Sequence, residues 1–414
     1  MRPTLLFLRL GFIIGVLSGL NLLDSTPVLA EIKLLGTAKI SGETQDLSDL
    51  PGEVAPGIRH TQLGGISGID FNPADGTFVL LPDRGPADGA TPYACRFHRV
   101  QLQVDPARTP VVSARLLQTI RLHNEQGQPL TGSAKAFRGA EPSESLRFDP
   151  EGVRIGQRGV VYLSDEYGPS VYEFAPGGVR TRVFAIPRKF RIAQPSDQPE
   201  REAENSTGRQ PNGGLEGLAI NPARTKLYAA MQRPLIQDSL PATMPGGKRI
   251  GTNTRILEID IESGRTREFL YTLDHTANGI CEILAINDQE FLMLERDSRV
   301  GSEAIAKRVY KISLAGATDI SSVETLPARE IPAEIVPVRK ELFLDLLDPR
   351  FGLVGESFPE KVEGLCFGPD LPDGRRLLLV AIDNDFIAAK PIIIHAFALD
   401  RNDLTGLARS TTSK

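Results

Sequence analysis

Gly214-Leu215-Glu216-Gly217-Leu218-Ala219-Ile220 runs into a turn at Asn221-Pro222 and then into Lys226-Leu227-Tyr228-Ala229-Ala230-Met231-Gln232-Arg233. The stretch reads as a β-hairpin: a short apolar strand, a turn, a second apolar strand, and charge where the second strand ends. The same unit recurs along the chain. Ile66 to Phe71 leads through Asn72-Pro73 to Phe78–Leu81 and Asp83-Arg84. Glu151 to Ile155 leads through Gly159 to Val160–Leu163 and Asp165-Glu166. Cys281 to Ile286 leads through Asn287-Asp288 to Phe291–Leu294 and Glu295-Arg296-Asp297, and Val362 to Phe367 leads through Pro372-Asp373-Gly374 to Leu377–Val380 and Asp383-Asn384-Asp385.

Hairpin strands are antiparallel, so the start of the first strand and the end of the second lie at one end of the unit. Glu151, Glu216, Glu282 and Glu363 at the starts therefore share an edge with Asp83, Asp165, Glu295 and Asp383 at the ends. Copies recur at roughly 65–85 residues, longer than a four-stranded blade of about 40–50, which leaves room for inserted loops. Arranged around an axis, the units form an all-β propeller with its carboxylates at one mouth. Arg96 to Val104 and Val111 to Leu122 read as outer strands of the first unit. The last apolar run, Pro391 to Leu399, has no later partner, and pairing it with the opening strand from Ile32 closes the ring and removes an edge. Counting that shared unit beside the five visible copies predicts six blades.

Within 414 residues the continuous repeat favours one array over separate domains. Abundant Gly and Pro (39 and 31) fit a turn-rich β protein, and a net charge of −5 argues against nucleic acid or an anionic membrane as partner. Residues 1–30 have the layout of a secretory signal peptide: Arg2 and Arg9, an apolar run from Leu10 to Leu23, and Val28-Leu29-Ala30 before Glu31. An uncleaved anchor is the alternative. The expected organisation is the leader, a propeller domain over 31–403, and a polar tail over 404–414, giving a secreted or periplasmic monomer free of the membrane after cleavage. Cys95, Cys281 and Cys366 are too few and scattered for a disulfide scaffold and read as buried core thiols, with one bridge left open. Two polar insertions, Ala193 to Gly213 and Pro234 to Asn253, emerge at the acidic end, the first as a disordered loop or a lid.

No G-x-S-x-G elbow, Walker loop, H-E-x-x-H or Cys-x-x-Cys pair occurs. What remains is oxygen ligands in a ring. Glu151, Asp165, Glu166, Glu216, Glu282, Glu295, Glu363 and Asp383 cannot all ionise close together without compensation, and Ca²⁺, which takes six to eight oxygens, supplies it. Arg84, Arg233 and Arg296 follow the strand-end residues Asp83, Gln232 and Glu295 and are placed to hold a phosphate or carboxylate, or else to pair internally with the glutamates. The catalytic candidates are Glu151, Glu216, Glu282 and Glu363.

The phrases G-I-S-G-I-D-F-N-P, D-P-E-G-V, N-G-G-L-E-G-L and K-V-E-G-L-C-F-G-P are similar to those of the phytase-like family described as having esterase-like activity. The resemblance runs from about Ile32 to Leu399. It implies a β-propeller and, through the relation to alkaline β-propeller phytases, calcium-assisted hydrolysis of phosphate esters. The expected function is an exported metal-dependent hydrolase of a small anionic ester. A lactonase or carboxylesterase propeller, or a non-catalytic propeller that binds ligand or protein at the same mouth, are the alternatives.

Overall fold

The computed structural model describes residues 32–139, 141, 144–243 and 249–404. The expected leader, its expected cleavage site and most of the polar tail lie outside them. Twenty of the strands form five four-stranded antiparallel sheets. Blade I comprises Ile66–Asn72, Thr77–Pro82, Arg96–Val104 and Val112–Arg121; blade II, Pro150–Ile155, Val161–Asp165, Ser170–Phe174 and Arg180–Phe184. Blade III comprises Leu215–Ile220, Lys226–Met231, Asn253–Asp260 and Thr266–Thr272; blade IV, Gly279–Ala285, Glu290–Arg296, Lys307–Ser313 and Arg339–Asp345. Blade V takes Val362–Phe367, Arg376–Ile382 and Ile392–Leu399 from one end of the chain and Lys33–Ile40 from the other.

The ring thus has five blades, not six. The closure itself is as expected: the opening strand pairs antiparallel with the last, from Lys33 opposite Ala398 to Ile40 opposite Ile392. That last strand is the third strand of blade V and the opening strand is its fourth, so the pair completes an existing blade and adds none. Among the described residues, the only strands outside the five blades are the short pair Glu53–Ala55 and Ile58–Arg59, which makes a two-stranded sheet and no sixth blade.

Both faces of the blades are covered, which explains why the second strands read as unbroken apolar runs. In blade V, Leu378 and Val380 pack with Leu292, Leu294 and Val309 of blade IV. Leu377, Leu379 and Ala381 point the other way and pack with Ile66, Ile69, Phe78 and Leu80 of blade I. Equivalent seams join I to II through Val79, Phe97, Val153 and Leu163, II to III through Tyr162, Phe184, Leu218 and Leu227, and III to IV through Tyr228, Ile256, Phe291 and Met293. At about 1.5–3 kcal/mol for each large apolar side chain fully buried, these five seams hold the ring together.

The first strand of every blade is innermost and carries a β-bulge at the same level, between Ile66 and Gly68, Pro150 and Val153, Leu215 and Gly217, Ile280 and Glu282, and Val362 and Gly364. Beyond each bulge the inner strands come very close. A Cβ on Gly217 would lie 2.6 Å from the Ile283 nitrogen, and one on Gly152 would lie 2.6 Å from the Leu218 nitrogen. Glycine is needed there because a five-bladed axis is narrow. Blade IV alone puts a large residue, Glu282, at that level, and its side chain fills the axis.

Candidate active site at the open end of the ring

The floor of the site is built first. Arg154, two residues beyond Gly152 in blade II, is fully buried and reaches across the ring. Its Nη1 donates to the carbonyl of Ile69 in blade I at 3.2 Å, and its Nη2 to that of Ile283 in blade IV at 2.8 Å and of Leu365 in blade V at 3.4 Å. The same Nη2 stands 3.0 Å from Glu282 Oε2, while Glu282 Oε1 accepts from the Leu218 nitrogen of blade III at 3.1 Å. One ion pair therefore ties all five inner strands together and closes the channel. Burial pushes the Glu282 carboxyl up to about 7, with Arg154 pulling the other way.

Above this floor, the bulge level carries Ser67, Glu151, Glu216, Cys281 and Glu363 in blades I to V. The register thus places Cys281, not Glu282, in phase with the other leading glutamates. Facing them are the residues after the second strands. The nitrogens of Asp83, Glu166, Gln232 and Asp383 bond to the carbonyls of Gly65, Asp149, Gly214 and Lys361, and in blade IV Arg296 pairs with Gly279. Arg296 consequently stands level with Gln232, one residue short of Arg84 and Arg233.

Two groups of potential ligands result. Asp149, Glu151 and Glu166, all from blade II, each bring an oxygen within 4.8 Å of the others; Glu216, Cys281 and Glu363, from blades III, IV and V, do the same with two oxygens and a sulfur. All six residues are buried. Burial and the neighbouring Glu216 and Asp149 charges raise the Glu151 carboxyl well above the usual range. Glu166 is pushed up to about 7 by burial and by Asp149, against the pull of Arg84. Burial, with Glu166 and Glu363 nearby, raises Glu216 as well, and burial with Asp383 raises Asp83. Such a set of repelling acids fits a hard cation in chemistry and spacing.

The three arginines have different surroundings. Arg84 is paired with Asp149 through Nη1 and through its own backbone nitrogen, with Glu166 at 3.0 Å, with Asp88 at 3.3 Å, and with the amide oxygen of Asn212. Arg296 meets Glu363 at 2.5 Å. Arg233 is only 5 % exposed, has no ion-pair or hydrogen-bond partner among the described residues, and its Nε is buried and unsatisfied. Its charge neighbours are Cys281, Arg296, Glu216 and Glu166.

The remaining sequence candidates stand apart from the two groups. Asp165 accepts from the backbone nitrogens of Asp149, Tyr167 and Gly168, each at 3.1 Å, and is raised by burial to about 6. Glu295 is saturated by Tyr271, Asn278, the Asp274 nitrogen and Lys340. Asp383 is held by Lys361 at 3.1 Å. Asp149, which no repeat phrase singled out as a ligand, joins the site because blade II has an acid where the other blades have Gly65, Gly214, Gly279 and Lys361. All three cysteines are free, so no bridge forms, and Cys281 belongs to the mouth as much as to the core.

The insertion from Ala193 is a folded wall, with the short helix Pro199–Glu202. Glu202 clamps Arg147 at 3.0 Å and Arg209 at 2.5 Å, which delivers Asn212 to Arg84. Beside the mouth, between blades III and IV, lies an open pocket of about 380 Å³ lined by Arg249, Thr276, Asp297 and Arg299, among others.

A model of the family described as "Phytase-like: Esterase-like activity of phytase" matches residues 61–386. An uncharacterized secreted protein of Arthroderma benhamiae is 29 % identical over 305 residues, which are 58 % of this chain and 59 % of that protein. The calcium-binding protein regucalcin from Agrobacterium tumefaciens aligns over 87 % of this chain and 94 % of its own, at 12 % identity and a TM-score of 0.36. A gluconolactonase from Xanthomonas campestris aligns over 82 % and 87 %, at 12 % identity and 0.33. Such faint likenesses leave the chemistry of the mouth to its own residues. No helix among the described residues is long and apolar enough to cross a membrane.

Proposed function

The chain belongs to the phytase-like family, and on that premise we propose that it is an exported, metal-dependent hydrolase of small anionic esters, phosphate esters foremost, acting as a monomer at the open end of the propeller. The observation that carries the reading is Arg233, whose Nε is buried and unsatisfied and whose guanidinium has no protein partner among the described residues, beside a set of repelling acids. Leaving such a charge unpaired is costly unless an anion arrives to meet it. Asp149, Glu151 and Glu166 would hold a hard divalent cation such as Ca²⁺, their donors being oxygen alone. When bound, that ion supplies Lewis-acid polarisation of the ester and acidifies water.

The chain's own residues do the rest. Arg233 receives the anion, and Arg84 holds Asp149 and Glu166 in place. Glu151 and Glu216 stand against one another across the mouth; burial raises both, and so does acid repulsion, which a cation there would relieve. Glu282, committed to Arg154 on the floor, shapes the site from below.

The test is release of phosphate from an aryl phosphate, with Ca²⁺ and with chelator, set against hydrolysis of an aryl acetate and a lactone. Calcium-dependent phosphate release is expected. Turnover of the acetate or lactone alone, or no turnover while calorimetry still shows anion binding, overturns the proposal.

A further inference from the structure

The register that levels Glu216 and Glu363 puts a thiol between them, and sulfur is a different donor from a carboxylate. Glu216, Cys281 and Glu363 come from three successive blades, are all buried, and bring one ligand atom each within 4.8 Å. Glu363 gives one oxygen to Arg296, while its Oε2 is buried without a hydrogen-bond partner. Independently of that trio, the partnerless Arg233 faces it, with Cys281 and Glu216 among its charge neighbours. Three acidic donors call for a cation, and a buried guanidinium beside them calls for an anion. A metal ion with an anion on its open side satisfies both.

We propose that Glu216, Cys281 and Glu363 form a second cation site, separate from Asp149, Glu151 and Glu166, that selects a borderline transition cation of the zinc or cobalt class over calcium. Calcium takes oxygen ligands, whereas thiolate donors favour the softer ions. Ionised, the trio carries three negative charges; a divalent cation and Arg296 cancel them, which leaves Arg233 for the anion. Three protein ligands also leave a coordination position open, as in sites that bind a reactant.

The experiment uses the full chain, stripped with chelator, kept reduced and titrated with Co²⁺. A near-ultraviolet thiolate-to-cobalt absorption band that saturates at one cobalt per chain is expected. Cys281→Ser should lose the band, and Glu216→Gln should weaken cobalt binding roughly tenfold or more. No band in the wild type, or a band that survives in Cys281→Ser, overturns the site. Cobalt-edge X-ray absorption of the wild type decides the matter even if Cys281→Ser does not fold. A sulfur neighbour at about 2.3 Å supports the site, and a shell of oxygen and nitrogen alone refutes it. Both readouts need no turnover, so they stand apart from the hydrolytic reading.

Discussion

Arg154 and Glu282 meet 3.0 Å apart in the middle of the ring, and between them they bond to the inner strand of every blade. Breaking a buried pair by removing one partner typically costs about 3–5 kcal/mol, because the other charge is left uncompensated, whereas replacing both by apolar groups can be close to neutral. Arg154→Met and Glu282→Leu should each lower the denaturation midpoint strongly. The double variant should recover much of the loss. Equilibrium unfolding of the four proteins provides the check, and additive losses would rule out coupling between the two residues.

The pH dependence follows from acids that keep their protons longer in the folded chain. Glu282 and Glu166 are raised to about 7 and Asp165 to about 6. Between the ordinary carboxylate range and those values, the folded chain binds more protons than the unfolded one. Stability from these groups is therefore highest at the acidic end of that window and falls as pH rises, by at most about 1.4 kcal/mol per pH unit for each group. The neutral His98 and His395, lowered by burial to about 3 and about 4, act in the opposite direction below about pH 6.5, so the metal-free protein should show its fall in melting temperature between about pH 6.5 and pH 8. Melting curves in chelator across this range test the sign, and a Tm that climbs with pH would contradict it.

The sequence and the structure part company where phase is set by strand pairing and not by residue type. The hairpin repeat, the common acidic end and the closing strand pair are all legible, since short apolar runs bounded by turn residues declare them. Residue type alone puts Glu282 in phase with Glu151, Glu216 and Glu363. Aligning on the preceding Gly279-Ile280, parallel to Gly214-Leu215 and Gly65-Ile66, would have put Cys281 at the glutamate position and Glu282 at the glycine position. Arg296 slipped by one residue for the same reason. The axial role of Arg154 left no local signal, because its partners come from strands up to 211 residues away. The five hairpin copies correspond to the five blades; the sixth comes from counting the closing strand pair as a unit of its own, whereas it completes the blade that takes its outer strand from the start of the chain.

Glu151 tests whether the mouth is a metal site or a salt-bridged cap. Its carboxylate accepts no hydrogen bond among the described residues and is crowded by Glu216, Asp149 and Glu166. Glu151→Gln keeps the shape and removes one repelling charge. In chelator the variant should be no less stable than wild type, and more stable above neutral pH. Added Ca²⁺ should raise the wild-type Tm and raise that of the variant much less. Calorimetry that finds no calcium binding to wild type, with an unmoved melting curve, would sink the oxygen-only site.

Arg84 and Arg233 occupy equivalent places in blades I and III, yet their variants should behave in opposite ways. Arg84 offsets Asp149 and Glu166, so Arg84→Met strands two buried carboxylates and should cost about 3–5 kcal/mol in metal-free protein. Arg233 offsets nothing by direct contact, and burial lowers its pKa from the usual arginine value. Arg233→Met removes a guanidinium whose Nε is buried without a partner and should leave the metal-free fold at least as stable. Its cost should fall on anion binding instead. Losing a charge-assisted hydrogen bond of about 2 kcal/mol weakens phosphate binding roughly thirtyfold. Phosphate titration of calcium-loaded wild type and Arg233→Met, beside unfolding curves for both arginine variants, separates the two roles. If Arg233→Met unfolds as easily as Arg84→Met while phosphate affinity stays unchanged, Arg233 is part of the scaffold and the anion must be held elsewhere.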